Sequence, residues 1–184
     1  MDDRIHIATG DEIVNVRTGQ RMVFRTTADD SDGRELVIEC WSPRHPAGEP
    51  HEPVHTHPRQ EKRFRMVDGE LMVNIDGVTR TLRAGDEVVV PAGVRHSFWN
   101  ESETEAHYWQ EFRPALRSAE FFSTLFALAR ESKEGKSGTL QLLVSAARFQ
   151  NEIMVTNPPP WIQRPMFAVL KPLAKVLRMK AERR

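Results

Sequence analysis

The chain has 184 residues, and its 26 Lys and Arg balance its 26 Asp and Glu, so its net charge gives no reason to expect a nucleic-acid partner. The single cysteine, Cys40, excludes an internal disulfide, and no run reaches the roughly 20 apolar residues of a membrane span. The polar N-terminus does not resemble a signal peptide, and we expect a cytoplasmic protein with one domain and an appendage.

The pattern of residues 11–112 predicts short strands separated by turns. Turn signals at Asp68-Gly69, Asp76-Gly77 and Ala84-Gly85-Asp86 are typical of hairpins between strands. Residues 43–58 contain five prolines and predict a stiff loop rather than a helix. Several short strands at this spacing predict a β-sandwich or barrel over residues 1–113.

Residues 114–184 predict about three α-helices that form a C-terminal extension. Ser118 is a plausible N-cap for the first helix, and the second is expected to continue through Ile153 and Met154. Pro172 is expected to kink the third helix. We expect the extension to pack on the barrel or on a second subunit.

The third helix is basic, because residues 161–184 carry seven Lys and Arg against one Glu. Its periodicity predicts one apolar stripe. This stripe comprises Ile162, Met166, Val169, Leu170, Leu173, Val176 and Leu177. Such a helix can lie on an anionic membrane surface, but we favour packing of the stripe against the protein itself.

Three histidines indicate a metal site. His55 and His57 lie one residue apart, so an extended chain points both side chains to the same face. His96 follows the turn signal Pro91-Ala92-Gly93, which redirects the chain just before it. Imidazole binds Fe, Ni and Zn, and three imidazoles can hold a divalent ion while leaving positions open for a substrate.

These two stretches resemble the motifs of the cupin family. The second motif matches at Gly85, Pro91, Gly93, His96 and Asn100, and the first matches at His55, His57 and Gly69. The resemblance covers about residues 10–115. It implies a double-stranded β-helix, or jelly-roll, barrel that holds a metal on three His and one Glu. It also implies a small-molecule ligand and a homodimer.

The glutamate position of the first motif holds Lys62 instead. Strand alternation places Lys62 with Phe64 on the inner face, and Glu61 with Arg63 on the outer face. Glu61 becomes a fourth metal ligand only if a β-bulge reverses the faces. With Lys62 inside, it is expected to act as a base or as an anchor for an anionic group.

The expected pocket lies inside the barrel. Its predicted lining consists of Phe64, Met66, Met72, Asn74 and Phe98. The leading hypothesis is a metal-dependent enzyme, using Fe, Mn, Ni or Zn, with dioxygenase-like or isomerase or cyclase chemistry on a small organic molecule. The alternative is a metal-free ligand-binding or sensor protein, in which the charge of Lys62 replaces the metal. The sequence leaves open whether the chain is an enzyme, because this fold hosts both roles.

Overall fold

The structure is a computed structural model that describes residues 5–45, 53–133, 139–176 and 182. The first ten strands are β1 Glu12–Val14, β2 Arg21–Thr26, β3 Leu36–Ser42, β4 His55–Thr56, β5 Glu61–Asp68, β6 Glu70–Ile75, β7 Val78–Arg83, β8 Glu87–Val90, β9 His96–Trp99 and β10 Ala106–Arg113. The later elements are α1 Ser118–Lys133, α2 Thr139–Arg148, β11 Met154–Val155 and α3 Pro160–Val176.

The strands form two antiparallel sheets, ordered β1-β2-β3-β10-β5-β8 and β11-β4-β9-β6-β7. Alternate residues of β3, β5 and β10 are buried, because successive side chains of a strand point to opposite faces. Apolar side chains from both sheets fill one continuous core. The described chain is therefore mainly β, and its two sheets and C-terminal helices confirm the predicted jelly-roll barrel.

The hairpin between β6 and β7 confirms the turn predicted at Asp76-Gly77. Both residues have positive φ, 48° and 90°, as a two-residue type I′ turn requires. Ile75 and Val78 pair directly across this turn. The turn therefore fixes the register of the strand pair that closes one edge of the second sheet.

The prediction for the second helix was wrong at its C-terminal end. The helix α2 ends at Arg148, and the backbone amides of Glu152 and Ile153 both donate to the carbonyl of Phe149, 3.0 Å away in each case. Met154 then lies in β11, where pairing with β4 satisfies the backbone groups that a longer helix would have satisfied internally. The extension thus contributes a strand to the second sheet.

The apolar stripe predicted for α3 is only partly correct. Gln163 and Phe167 are buried, whereas Ile162 and Val169 are exposed. The side-chain amide of Gln163 donates to the backbone carbonyl of Val155, 2.7 Å away. This bond connects the buried face of the helix to β11. The helix runs through Pro172 to Val176, and Leu177 lies outside the described residues.

Within the described part of the chain, every helix is too short or too polar to cross a membrane. The expected homodimer and the expected location in the cell stay predictions.

Candidate metal centre

The two histidine motifs meet on neighbouring strands of the second sheet. His55 on β4 is the direct register partner of His96 on β9, and His57 directly follows β4. One ring nitrogen from each of the three residues lies within 4.8 Å of the others. All three residues are buried, with at most 3% of their surface exposed. This grouping could hold a metal ion.

Each imidazole is oriented by a backbone carbonyl. The Nδ1 atoms of His55, His57 and His96 lie 2.8, 2.6 and 3.1 Å from the carbonyl oxygens of Pro53, Glu152 and Val94, respectively. A carbonyl oxygen only accepts hydrogen bonds, so each Nδ1 must carry the proton and donate it. The Nε2 lone pairs are then available to an ion, as in metal-ligating histidines.

The burial of the imidazoles keeps them neutral. Burial and then the positive charge of Lys62 lower the pKa of His55 to about 3 and that of His96 to about 2. Burial and the neighbouring His55 and Lys62 also hold the pKa of His57 well below its ordinary value. Neutral imidazole is the form that binds metal, so the protein prepares the ligands in their binding form at pH 7.

Lys62 points into the barrel, as the alternation of β5 predicts. It is fully buried, and it pairs with Phe112 on β10 and with Val90 on β8. The pairing of β5 with β10 continues without a break to Glu61. Its Nζ lies 4.6 Å from the ring centre of Phe64, 4.7 Å from that of Phe98 and 5.3 Å from that of Phe112. These rings exclude water and interact favourably with a cation. A role as base or anion anchor stays a prediction.

Glu61 lies on the outer face of β5. Its side chain is 43% exposed and lies 3.9 Å from the guanidinium of Arg63. The β-bulge that would turn it inward is absent from this stretch; the irregularity between β5 and β10 falls at His107 and Tyr108 instead. Among the described residues, the potential metal-binding group contains the three histidines and no carboxylate.

The predicted pocket residues separate into two groups. Phe64, Met66 and Phe98 are buried in the barrel, and the rings of Phe64 and Phe98 meet edge to face with centres 5.3 Å apart. The prediction for Met72 and Asn74 was wrong, because both lie on the outer face of β6. Asn74 donates to the hydroxyl of Thr79, and Met72 accepts from the hydroxyl of Thr81.

The inner face of β6 belongs to Leu71 and Val73, which are almost fully buried. Both faces of this strand carry apolar residues, so alternation alone could not identify the inner one. The inner face is set by the pairing of β6 with β9, in which Val73 lies opposite the buried Phe98.

Other residues of the barrel interior come from β10. Tyr108, Gln110 and Phe112 point inward, and the ring of Phe112 contacts that of His57 with centres 5.1 Å apart. Alternation along β10 does not by itself identify the inner face, because Trp109 on the other face is aromatic as well. Glu152 was missed entirely, because a backbone carbonyl leaves no signature in the residue type.

Comparison with known proteins supports the same interpretation. Residues 44–109 match the model of the cupin domain family. The chain is 40% identical over 52 residues to the polyketide synthase CurC of Streptomyces cyaneus, covering 28% of this chain and 34% of that protein. It is 36% identical over 63 residues to oxalate oxidase 1 of Hordeum vulgare, covering 30% and 31%. The chain thus spans about a third of the length of these curated relatives.

Among solved structures, a protein described as a predicted oxalate decarboxylase from Thermotoga maritima superposes with a TM-score of 0.50 at 19% identity. The match covers 58% of this chain and 91% of that one, and it shows a shared fold. Fold and site together define a jelly-roll barrel protein with a buried three-histidine cluster. Over residues 44–109, the chain is similar to the cupin domain family.

Proposed function

We propose that the protein is a divalent-metal enzyme that acts on a small organic anion. The observation that carries this proposal is the convergence of three neutral, carbonyl-oriented histidines beside an inward lysine. A divalent ion held by His55, His57 and His96 would supply Lewis-acid or redox chemistry. Fe, Mn, Ni and Zn all suit such a donor set, and dioxygenase-like chemistry is the leading reaction class, ahead of isomerisation or cyclisation.

The charge balance of the site favours an anionic substrate. The three imidazoles are neutral, and the group of described residues that could hold the ion contains no carboxylate. A divalent ion and the Lys62 ammonium would place two positive charges close together in a buried site, where like charges repel strongly. A carboxylate or enolate from the substrate would compensate this charge, and the names of an oxalate oxidase and a predicted oxalate decarboxylase support such a substrate.

Lys62 is then the residue that binds the anionic group. The rings of Phe64, Phe98 and Phe112 surround its Nζ, so an ion pair formed there would be shielded from water and correspondingly strong. The same lysine could accept or deliver a proton at the bound substrate. Substitution of Lys62 should therefore weaken substrate binding even where the metal remains.

The second candidate function is metal-free binding of a small anion. The same observation that favours an anionic substrate supports it, because the fully buried Lys62 places a positive charge beside the three histidines without a metal. In this case His55, His57 and His96 would serve as neutral hydrogen-bonding groups around the ligand.

Elemental analysis of the purified, untagged protein distinguishes the two functions. His96→Ala removes one ligand, and His107→Ala is the matched control, because His107 stacks on Trp41 and donates from its Nε2 to the carboxylate of Glu39 on the outer face. Near-stoichiometric metal that is lost in His96→Ala and kept in His107→Ala supports the enzyme. O₂ consumption with a panel of small carboxylates, including oxalate, then tests the reaction class.

The opposite result favours the metal-free function. If the wild-type protein takes up no metal after Fe, Mn, Ni and Zn are each offered, the metal-dependent enzyme is excluded. Titration of the metal-free protein with the same carboxylates, with Lys62→Met as the comparison, would then test the binding function directly.

A further inference from the structure

The segment that follows α2 forms part of the surroundings of the metal centre. Within the pairing of β11 with β4, Val155 lies opposite His55 and Met154 opposite Thr56. The amide of Thr156 extends this pairing by donating to the carbonyl of Val54, 3.0 Å away. The strand that carries His55 is thus flanked by a strand from the C-terminal extension.

His57 depends on this extension more directly. His55 and His96 each donate to a carbonyl two residues earlier in their own segments, at Pro53 and Val94. His57 instead donates to the carbonyl of Glu152, 2.6 Å away and 95 positions later in the chain. Its ring orientation and tautomer therefore depend on where the turn at residues 149–153 is held.

The side chain of Glu152 holds this turn in place. It is buried, which raises the pKa of its carboxyl group, and its carboxylate accepts from the backbone N–H groups of Glu152 itself and of Arg117, the residue before the first helix of the extension. The guanidinium of Arg117 pairs with Glu120 at 3.1 Å and with Glu182 at 2.8 Å. The carboxylate thus ties the turn to the start of the extension, where the side chain of Arg117 is itself held by two ion pairs.

We propose that Glu152 is a positioning residue of the metal centre: its side chain anchors the turn, so that its backbone carbonyl holds the His57 ring toward the ion. This inference rests on the proposed metal-dependent function. Hydrogen-bond partners of metal-ligating histidines fix the ring and raise ligand basicity, and their loss costs about 10- to 100-fold in metal affinity. The helical extension would then build the site as well as cover the barrel.

The test is a Co(II) titration of the full-length, metal-free protein, followed by its visible absorption. Glu152→Ala is expected to bind Co(II) about 10- to 100-fold more weakly and to change the visible bands, because the His57 ring is no longer fixed. Glu152→Gln keeps an oxygen that can accept from the Arg117 amide, so it should restore most of the affinity. Asn151→Ala, at the exposed neighbouring position, is the matched control and should behave as wild type.

Wild-type Co(II) affinity and an unchanged spectrum in Glu152→Ala would overturn the inference. If the wild-type protein binds no Co(II), the metal function fails, and ¹⁵N NMR of the metal-free protein tests the positioning role separately. The wild-type spectrum should then show His57 protonated at Nδ1, and Glu152→Ala should show a mixture of tautomers; unchanged signals would overturn the inference. If Glu152→Ala does not fold, Glu152→Asp replaces it, because it shortens the side chain by only one methylene group. The same changes in Co(II) affinity, visible spectrum and His57 tautomer are then expected, and their absence would overturn the inference.

Discussion

His55 and His96 are direct cross-strand partners on β4 and β9, and their ring centres lie 4.3 Å apart. This pairing brings the two sequence motifs together at the centre of the second sheet. Because each ring is also hydrogen-bonded to a carbonyl of its own segment, the protein itself orients both rings before any ion binds. Changes close to this pair should therefore affect metal affinity far more than changes on the outer face of the same strands.

The first prediction follows from β5, where Lys62 points into the barrel and Glu61 points outward. Lys62→Glu should raise affinity for a divalent metal by at least about tenfold, because it replaces a buried cation with a carboxylate near the three histidines. Glu61→Gln, one position away on the outer face, should leave the affinity unchanged. Zn(II) or Co(II) titration of both variants measures this, and a loss of affinity in Glu61→Gln alone would show that Glu61 is the ligand.

The lowered pKa values of the buried histidines predict acid sensitivity of the metal-free protein. The pKa of His55 is about 3 and that of His96 about 2 when folded, against an ordinary value of 6.5. Below that ordinary value the unfolded chain binds protons that the folded chain does not, so the free energy of unfolding falls as pH falls. The expected loss between pH 6.5 and pH 5 is roughly 1.5 kcal/mol per histidine. The loss continues below pH 5 until the folded pKa values are reached, and these groups make the stability independent of pH only well above pH 6.5.

Urea unfolding of chelator-treated protein at several pH values measures this effect. His96→Gln removes one of the three groups, so its stability should fall less steeply between pH 6.5 and pH 5 than that of the wild type. An identical pH dependence in the two proteins would contradict the assignment of these protons to the buried cluster.

Gly69, the last glycine of the first motif, gives a prediction about stability. It has φ of 76°, and a Cβ at this position would lie 2.5 Å from the backbone oxygen of Glu105. Gly69→Ala should cost about 3 kcal/mol or more, because the left-handed conformation and the backbone clash both oppose it. Gly77→Ala, with φ of 90° and open space around the new Cβ, should cost only about 1–2 kcal/mol. Chemical denaturation of the two variants separates the clash from the conformational strain, and equal losses would show that the clash is relieved.

A buried polar network around Tyr108 gives the last prediction. The Tyr108 hydroxyl lies 2.8 Å from the hydroxyl of Ser42 and 3.0 Å from the amide nitrogen of Gln20. Tyr108→Phe should lower the free energy of unfolding by about 1–3 kcal/mol, because it leaves buried polar groups with fewer partners. Thermal and urea unfolding measure the loss. In the Ser42→Ala background the same substitution should cost less, and strictly additive losses would argue against a coupled network.

Much of the barrel and most of the candidate metal centre could be predicted from the order of the residues alone. Alternation along β5 determined that Lys62 points inward and Glu61 outward, because Phe64 and Met66 are apolar and Arg63 and Arg65 are charged. The spacing of His55 and His57, and the turn before His96, were sufficient to predict the three-histidine group. The alternation of β5 and the shared face of His55 and His57 are local features, whereas the approach of His96 to them depends on the pairing of β4 with β9.

Other features depend on contacts between distant parts of the chain, which local patterns do not specify. Along β6 both faces carry apolar residues, so only pairing with β9 placed Leu71 and Val73 inside and turned Met72 outward. The strand β11 forms where a helix was predicted, because β4 offers it backbone partners. The carbonyl that orients His57 belongs to Glu152, and since all backbone carbonyls are chemically alike, only the folded chain could select it.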